Sequence, residues 1–270
     1  MPKKPRLDAL LVTRGLVESR TQAQRLIMAG QVRVNDQVAL KPGQRVDADA
    51  RLEVAQPPRF VSRGGEKLAA ALEAFPIAVG GKVCADVGAS TGGFTDCLLQ
   101  HGAARVYALD VGKGQLHWKL RNDPRVVVME GTNARYVERL PEPVALVTID
   151  ASFISLRVLL PVVRGWFPEA VHAEGGERGD VVALIKPQFE AGRQEAARGR
   201  GVIRDPEVHR RVLQTVLAFA QTQGYGVRGL ARSPVRGPKG NVEFLAWLKV
   251  GGLPATEDAL AVWIEACVKG

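Results

Sequence analysis

Between Lys82 and Val250 the chain keeps returning to one pattern, a short apolar run followed by a longer amphipathic or polar stretch. The runs are Val83–Val87, Val106–Leu109, Val126–Met129, Val144–Ile149 and Val181–Ile185, with less pure ones at Val227–Leu230 and Phe244–Leu248. Strands this rich in Val, Ile and Leu, without polar alternation, are those a sheet buries on both faces. Helical stretches separate them, notably 153–167 and 206–223, the second opened by Asp205 as N-cap and Pro206 at N1. Such alternation predicts an α/β fold with a doubly wound, mainly parallel sheet. The tail from Thr256 to Cys267 reads as an amphipathic packing helix. A chain of 270 residues can bury such a core and still hold a second, smaller domain.

The first of these strands carries the binding signal. It runs Lys82-Val83-Cys84-Ala85-Asp86-Val87 into a glycine turn, Gly88-Ala89-Ser90-Thr91-Gly92-Gly93-Phe94, with a helix opening at Thr91 or Gly92. Glycines there let backbone approach a ligand, and a helix N-terminus offers unpaired N–H groups. The next strand ends in Asp110, placed to accept hydrogen bonds from a ribose. The spacing is not that of a dinucleotide fingerprint. It resembles motif I of the S-adenosylmethionine-dependent methyltransferases, Asp-x-Gly-x-x-x-Gly-Gly. That resemblance implies S-adenosylmethionine as cofactor, held by Asp86, Gly88, Ala89, Ser90, Thr91, Gly92, Gly93, Phe94 and Asp150, with Asp110 on the ribose. Asn133, with Thr132 beside it, falls just beyond the third strand, where the adenine would lie. An ordinary strand–turn–helix is the other reading of the glycines alone.

The charge balance points the same way. Thirty-seven Lys and Arg against 28 Asp and Glu leave a net charge of +9, which favours a polyanion, nucleic acid before membrane. The three cysteines, Cys84, Cys97 and Cys267, lack metal-ligand spacing and read as small core residues in a reducing compartment, with no metal site. With no apolar leader and no run long enough to span a bilayer, the expected location is cytoplasmic.

Residues 1–55 form a module of their own, through Arg59 holding eleven Lys/Arg against six Asp/Glu. After a basic tail, Leu7–Val12 opens a helix stopped at Gly15; Ser19 or Thr21 caps a second, from Gln22 to Ala29, closed by Gly30. Val32–Val38 folds around an Asn35-Asp36 turn, and 41–46 reads as another turn and strand. The run resembles the alpha-L RNA-binding motif, shared by a small-subunit ribosomal protein, some pseudouridine synthases and tyrosyl-tRNA synthetases. It implies RNA-facing Arg6, Arg20 and Lys41, with Arg14 and Arg25 beside them. A solvated basic face on a protein-interaction module is the alternative. Residues 56–62, with two prolines, read as a linker, and 63–270 as the larger domain. The stretches 174–180 and 192–201 read as mobile loops, the second, with Arg193, Arg198 and Arg200, either a lid over RNA or plain disorder.

Four charges stand against apolar strand or helix residues at one sheet edge. Lys67 lies in the first turn of a helix, where a cation opposes the macrodipole. Asp150 ends the fourth strand, Lys186 the fifth, and Glu243 precedes the last. Charges so placed are seldom unpaired, so they are expected to cluster. They match the Lys-Asp-Lys-Glu tetrad of the FtsJ-type RNA ribose 2′-O-methyltransferases. With the N-terminal module, the whole chain is similar to the TlyA family of haemolysin-named rRNA methyltransferases. The resemblance implies a Rossmann-like, seven-stranded sheet and 2′-O-methylation of cytidine in ribosomal RNA of one or both subunits. It implies no obligate protein partner. On chemical grounds Lys186 reads as the base, with Asp150 and Glu243 orienting it and Lys67 steering the hydroxyl; an exchange of roles between the two lysines is the other reading. A hydroxyl is a poor nucleophile and needs a base within hydrogen-bond reach. The sequence after strand four, Asp150-Ala151-Ser152-Phe153, lacks the Pro-Pro-aromatic of adenine amino-group enzymes. No cysteine lies between Cys97 and Cys267 to serve as a C5-type nucleophile. The competing classes are a non-catalytic RNA-binding assembly factor and a membrane-lysing protein.

Overall fold

The computed structural model describes residues 4–55, 58–168 and 176–269. The first three residues of the basic tail, Gln56 and Pro57 of the expected linker, and Glu174 with Gly175 of the first expected loop lie outside them. The chain divides into two units, Met1–Pro58 and Arg59–Gly270.

In the first unit, helices α1 (Leu7–Thr13) and α2 (Arg20–Met28) are followed by strands β1 (Val32–Val34), β2 (Gln37–Ala39) and β3 (Leu52–Val54). The three strands form an antiparallel sheet in the order β2-β1-β3. Leu7, Leu10 and Leu11 share one face of α1, Ala23 and Ile27 one face of α2, and all are buried with Val32. Ser19 Oγ accepts from Gln22 N at 3.2 Å, the capping contact that starts α2. Asn35 and Asp36 both have positive φ, as a two-residue hairpin turn requires. The strand expected at 44–46 is absent: this segment makes only an isolated bridge, Arg6 to Arg45, and Val46 N donates to Pro5 O. Its backbone is used to seat the start of α1, and the third strand comes instead from 52–54, whose Leu52 and Val54 are partly buried against the core.

The second unit opens with α3 (Gly64–Ala74), β4 (Val83–Val87), α4 (Gly93–Gln100), β5 (Arg105–Asp110), α5 (Trp118–Arg121) and β6 (Val126–Glu130). Next come β7 (Leu146–Ile149), α6 (Leu156–Val163), β8 (Gly179–Ile185), α7 (Pro187–Glu190) and α8 (Arg193–Arg198). It closes with α9 (Pro206–Thr222), β9 (Tyr225–Arg232), β10 (Phe244–Val250) and α10 (Glu257–Lys269). The sheet has seven strands in the order β6-β5-β4-β7-β8-β10-β9. Its pairings are parallel except around β10, which is antiparallel to both neighbours. Leu68, Leu98 and Cys84 belong to the core on one face; Leu160, Val212, Leu217 and Ile264 belong to the core on the other. The strand order reverses between β4 and β7, and the crevice beyond their C-terminal ends is where such sheets bind ligands.

Three expectations change. Residues 59–62 are part of the second unit: Phe60 is buried, Arg59 O accepts from Gln100 Nε2 at 2.9 Å, and Val61 N donates to Asp96 at 2.9 Å. The helix expected from Phe153 starts at Leu156, because Ser155 caps it and Phe153 takes a left-handed φ of 64°. Within 192–201, expected as a loop, α8 forms one and a half turns and is tied to α9 by Arg211 on Glu195 at 3.2 Å.

Candidate active site

The site is built on the β4 turn. Gly88 has φ 84°, and a Cβ on it would lie 2.7 Å from Asp150 O at the end of β7, so only glycine brings the two strand ends this close. Gly88 N and Ala89 N both donate to Leu109 O, at 2.9 and 3.0 Å, which locks the turn onto β5. Gly93 answers to packing. A Cβ there would meet Gly65 N at 2.7 Å and Gly64 Cα at 3.0 Å, where the first turns of α3 and α4 cross. Gly88→Ala is expected to cost about 1–3 kcal/mol from strain at this φ alone. It should also weaken binding of the cofactor that motif I implies, S-adenosylmethionine, about tenfold or more, read by calorimetry. Unchanged affinity would show that the turn relaxes without loss.

Asp110 is held rather than free. Its Oδ2 accepts from Ser90 N and its Oδ1 from Gly112 N, both at 2.7 Å. The backbone thus orients the carboxylate where it lines a cavity of about 290 Å3 together with Thr132, Asn133, Ala151 and Phe153. A second cavity, of about 390 Å3, is lined by Gly88–Thr91, Gly93, Phe94 and the four charged residues. The two share Gly88 and Ser152. Gly92 lines neither.

Asp86 also lines neither cavity. Strand side chains alternate, and Asp86 falls with Cys84 on the α3–α4 face. There it is fully buried and accepts from Thr95 Oγ1 at 2.7 Å and Thr148 Oγ1 at 3.1 Å. Burial pushes its pKa up to about 7, against the two hydroxyl bonds that lower it. It ties β4 to α4 and β7 from behind the turn, a different place from the cofactor contact that motif I implies.

The tetrad residues come together from α3, β7, β8 and β10. Lys186 Nζ lies 2.7 Å from Asp150 Oδ1 and donates to Ser152 Oγ at 2.9 Å and Asp150 O at 3.3 Å. Lys67 Nζ donates to Glu243 Oε2 at 2.6 Å and stands 3.9 Å from Asp150 Oδ2. Glu243 therefore holds Lys67, not Lys186, and Asp150 joins the two pairs. Glu243 is 1% exposed, Lys67 8% and Lys186 7%. The formal charges cancel, as burial at this depth demands. The contact between Lys186 and Asp150 Oδ1 is close but off the direction of a hydrogen bond. Asp150 Oδ1 and Gln188 Oε1 are the buried side-chain acceptors lacking a donor among the described residues.

Several residues here carry no signal in the sequence. Ser152 is one. Gly237 is another, since a Cβ there would meet Glu243 Oε1 at 2.5 Å. Asn241 bonds Gly201 O and Ile203 N, both at 2.9 Å, and so ties the loop before Glu243 to the segment before α9. Phe153 is 91% exposed at the mouth of the smaller cavity, its ring 5.0 Å from that of Phe189. Phe189 in turn lies 5.8 Å from Lys186 Nζ. A left-handed φ in an aromatic residue is strained, and such strain gathers at functional sites.

In the first unit the basic residues divide. Asp8, wholly buried, accepts from Arg6 through both oxygens at 3.0–3.1 Å, from Arg20 at 3.1 Å and from Gln24 at 3.0 Å. The hydrogen-bonded Arg6 guanidinium, helped by Gln24 and Arg20, holds the Asp8 carboxyl far below the usual range in spite of burial. Arg6 and Arg20 remain about half exposed. Arg14 donates to Ala50 O at 2.6 Å and to Ala48 O, tethering the segment before β3. Arg25 and Lys41 are exposed and have no ionic partner among the described residues. The three cysteines are buried, and burial pushes Cys84 and Cys97 up to about 12 and Cys267 to about 11.

A seven-stranded sheet in this order, with a glycine turn and a strand-end acid at its switch point, is that of a Rossmann-like methyltransferase. The FtsJ-like methyltransferase model matches residues 60–250 and the S4 domain model residues 5–52. The chain belongs to the FtsJ-like methyltransferase family, in the TlyA branch that carries an N-terminal S4 domain. It is 49% identical over 253 residues to the 16S/23S rRNA (cytidine-2'-O)-methyltransferase TlyA of Mycobacterium tuberculosis, covering 92% of this chain and 91% of the relative. Hemolysin A of Brachyspira hyodysenteriae is 42% identical over 244 residues, 89% of this chain and 98% of that one. A solved structure named as a hemolysin of Streptococcus thermophilus superposes with a TM-score of 0.71 at 42% identity, covering all of this chain and 97% of the other. Among the described residues no helix is long and apolar enough to cross a membrane.

Proposed function

We propose that this chain transfers a methyl group from S-adenosylmethionine to the 2′-hydroxyl of cytidine in ribosomal RNA. The observation that carries the reading is the convergence of Lys67, Asp150, Lys186 and Glu243 in one cavity beside the Gly88 turn. The residues suit the cofactor: two cavities share Gly88, whose lack of a Cβ lets the turn lie against Asp150, and Asp110 is held by backbone amides where it lines the smaller one. Bound there, S-adenosylmethionine would supply an electrophilic methyl group on a positively charged sulfur, which would keep the electron pair of the broken carbon–sulfur bond and leave as the neutral thioether S-adenosylhomocysteine.

The chain's own groups handle the proton. Lys186, as the neutral amine, takes the hydroxyl proton while the oxygen bonds to carbon, and Asp150 and Ser152 fix its direction. Lys67, anchored by Glu243, steers the hydroxyl oxygen. The first unit holds the RNA. Lys41→Ala and Arg25→Ala should each lower the salt slope of rRNA binding by about 1, the signature of one lost phosphate contact. Arg14→Ala should instead lower the melting temperature of the first unit; the reverse pattern would exchange their roles.

The deciding experiment offers labelled S-adenosylmethionine and purified ribosomal subunits lacking the modification. The expected product is one cytidine linkage per target that resists alkali, because alkaline cleavage needs a free 2′-hydroxyl. Label on a base, or label that leaves every linkage alkali-sensitive, would overturn the reading.

A further inference from the structure

A third cavity, of about 280 Å3, opens beside the catalytic one in the second unit and shares Arg236 with it. Three arginines line it: Arg204 from the segment before α9, Arg232 from the end of β9, and Arg236 from the loop before β10. Arg204 and Arg236 are exposed and Arg232 is partly buried. None of the three has a hydrogen-bond or ionic partner for its guanidinium among the described residues. Of the carboxylates nearby, only Asp205 keeps its charge close to the cavity, where it acts on His209, and among the described residues it is not ion-paired to any of the three arginines. Asp205 caps α9 through Glu207 N at 2.9 Å, Glu207 pairs with Arg210, and Glu265 pairs with Arg210 at 2.5 Å and Lys269 at 3.6 Å. The wall residues supply no hidden anion. Cys267 is a neutral thiol, since burial pushes it up to about 11. His209 lies 3.1 Å from Ile203 O, and burial holds its pKa below the ordinary histidine value.

A partly buried guanidinium without a counter-charge is costly, and two more beside it add repulsion. Such a cluster is stabilised when an anion completes it, and the planar fork of arginine suits a phosphate bidentately. We infer that this cavity is a phosphate subsite of the second unit, which takes the RNA backbone next to the target nucleotide. The inference rests on the RNA-methyltransferase reading. Arg236 lines both cavities, so a strand whose ribose sits by Lys186 is led past Arg236 toward the other two arginines. Asn241, which joins the loop carrying Arg236 to the segment carrying Arg204, keeps the two walls in register.

The test measures binding of unmodified ribosomal RNA, naked and in intact subunits, against KCl concentration. Wild type is compared with Arg204→Gln, Arg232→Gln, the double variant and Arg232→Lys. Each glutamine is expected to lower the slope of log affinity against log salt by about 1 and to weaken binding about tenfold at physiological salt. Arg232→Lys should keep the slope while losing part of the affinity, and S-adenosylmethionine affinity should not change. If Arg232→Gln lowers the melting temperature, the exposed Arg204→Gln decides alone. A double variant with the wild-type slope on naked RNA overturns the inference. So does weakening on subunits with none on naked RNA, which assigns the pocket to a protein carboxylate. If the slopes fall but wild type transfers no methyl to rRNA, the catalytic reading fails and the phosphate subsite stands.

Discussion

Lys186→Ala is expected to slow single-turnover methyl transfer by about 10²–10⁴-fold, the usual contribution of a positioned general base. Binding of S-adenosylmethionine, followed by calorimetry, should stay close to wild type, because the Gly88 turn and Asp110 do not depend on Lys186. Lys186→Arg should be as inactive as alanine: it keeps the charge but cannot become a neutral base near neutral pH. The geometry gives Lys67 a separate part, since Glu243 holds it at 2.6 Å while Asp150 and Ser152 hold Lys186. Lys67→Ala is therefore expected to lose activity along with Glu243→Gln, as one unit. Turnover within a few-fold of wild type in Lys186→Ala, with Lys67→Ala inactive, would transfer the base role to Lys67.

Asp86→Asn is expected to change how stability depends on pH. The folded protein holds the Asp86 proton up to a pKa of about 7, whereas the ordinary value is 3.8. Between those values the folded state binds a proton that the unfolded state has lost. Stability from this group is thus fully present below pH ~4, falls as pH rises toward 7, and is level above it. The span corresponds to about 4 kcal/mol. Asparagine removes the titration and keeps the shape. Thr148 Oγ1, which already reaches Ala85 O at 3.4 Å, is free to donate there and accept from the new amide. In urea unfolding at pH 5 and pH 8, wild type should lose more stability than the variant over that interval. Equal losses in the two proteins would show that Asp86 is ionised throughout.

Much of this molecule can be read along the chain. The uninterrupted strands, the Asp205-Pro206 helix start, the Asn35-Asp36 hairpin and the glycine turn each depend on a few neighbouring residues, so periodicity and backbone preference reveal them. The charges at strand ends are legible for the same reason: a lysine or carboxylate directly after an apolar run must sit at the sheet edge. These features place Asp150, Lys186 and Glu243 at one sheet edge, whereas Lys67, on a helix, is grouped with them in the sequence through the match to the tetrad.

Other features belong to contacts between residues far apart. No local pattern shows that Glu243 reaches Lys67 rather than Lys186, since α3 and β10 are 176 positions apart at that contact. Motif I suggests a cofactor contact for Asp86, whereas its carboxylate is bonded by Thr95 and Thr148, residues 9 and 62 positions away, and lines neither cavity. Arg14 looks like its basic neighbours until the segment at 48–50 folds over it. Residues 44–46 could pair as a strand on pattern alone, and α1 takes their backbone bonds first. Arg204, Arg232 and Arg236 are scattered surface charges until β9, α9 and the loop before β10 close around one cavity. Local sequence sets the conformation of a segment, whereas a side chain's partner depends on direction and on which carboxylates remain unspent, and only packing decides those.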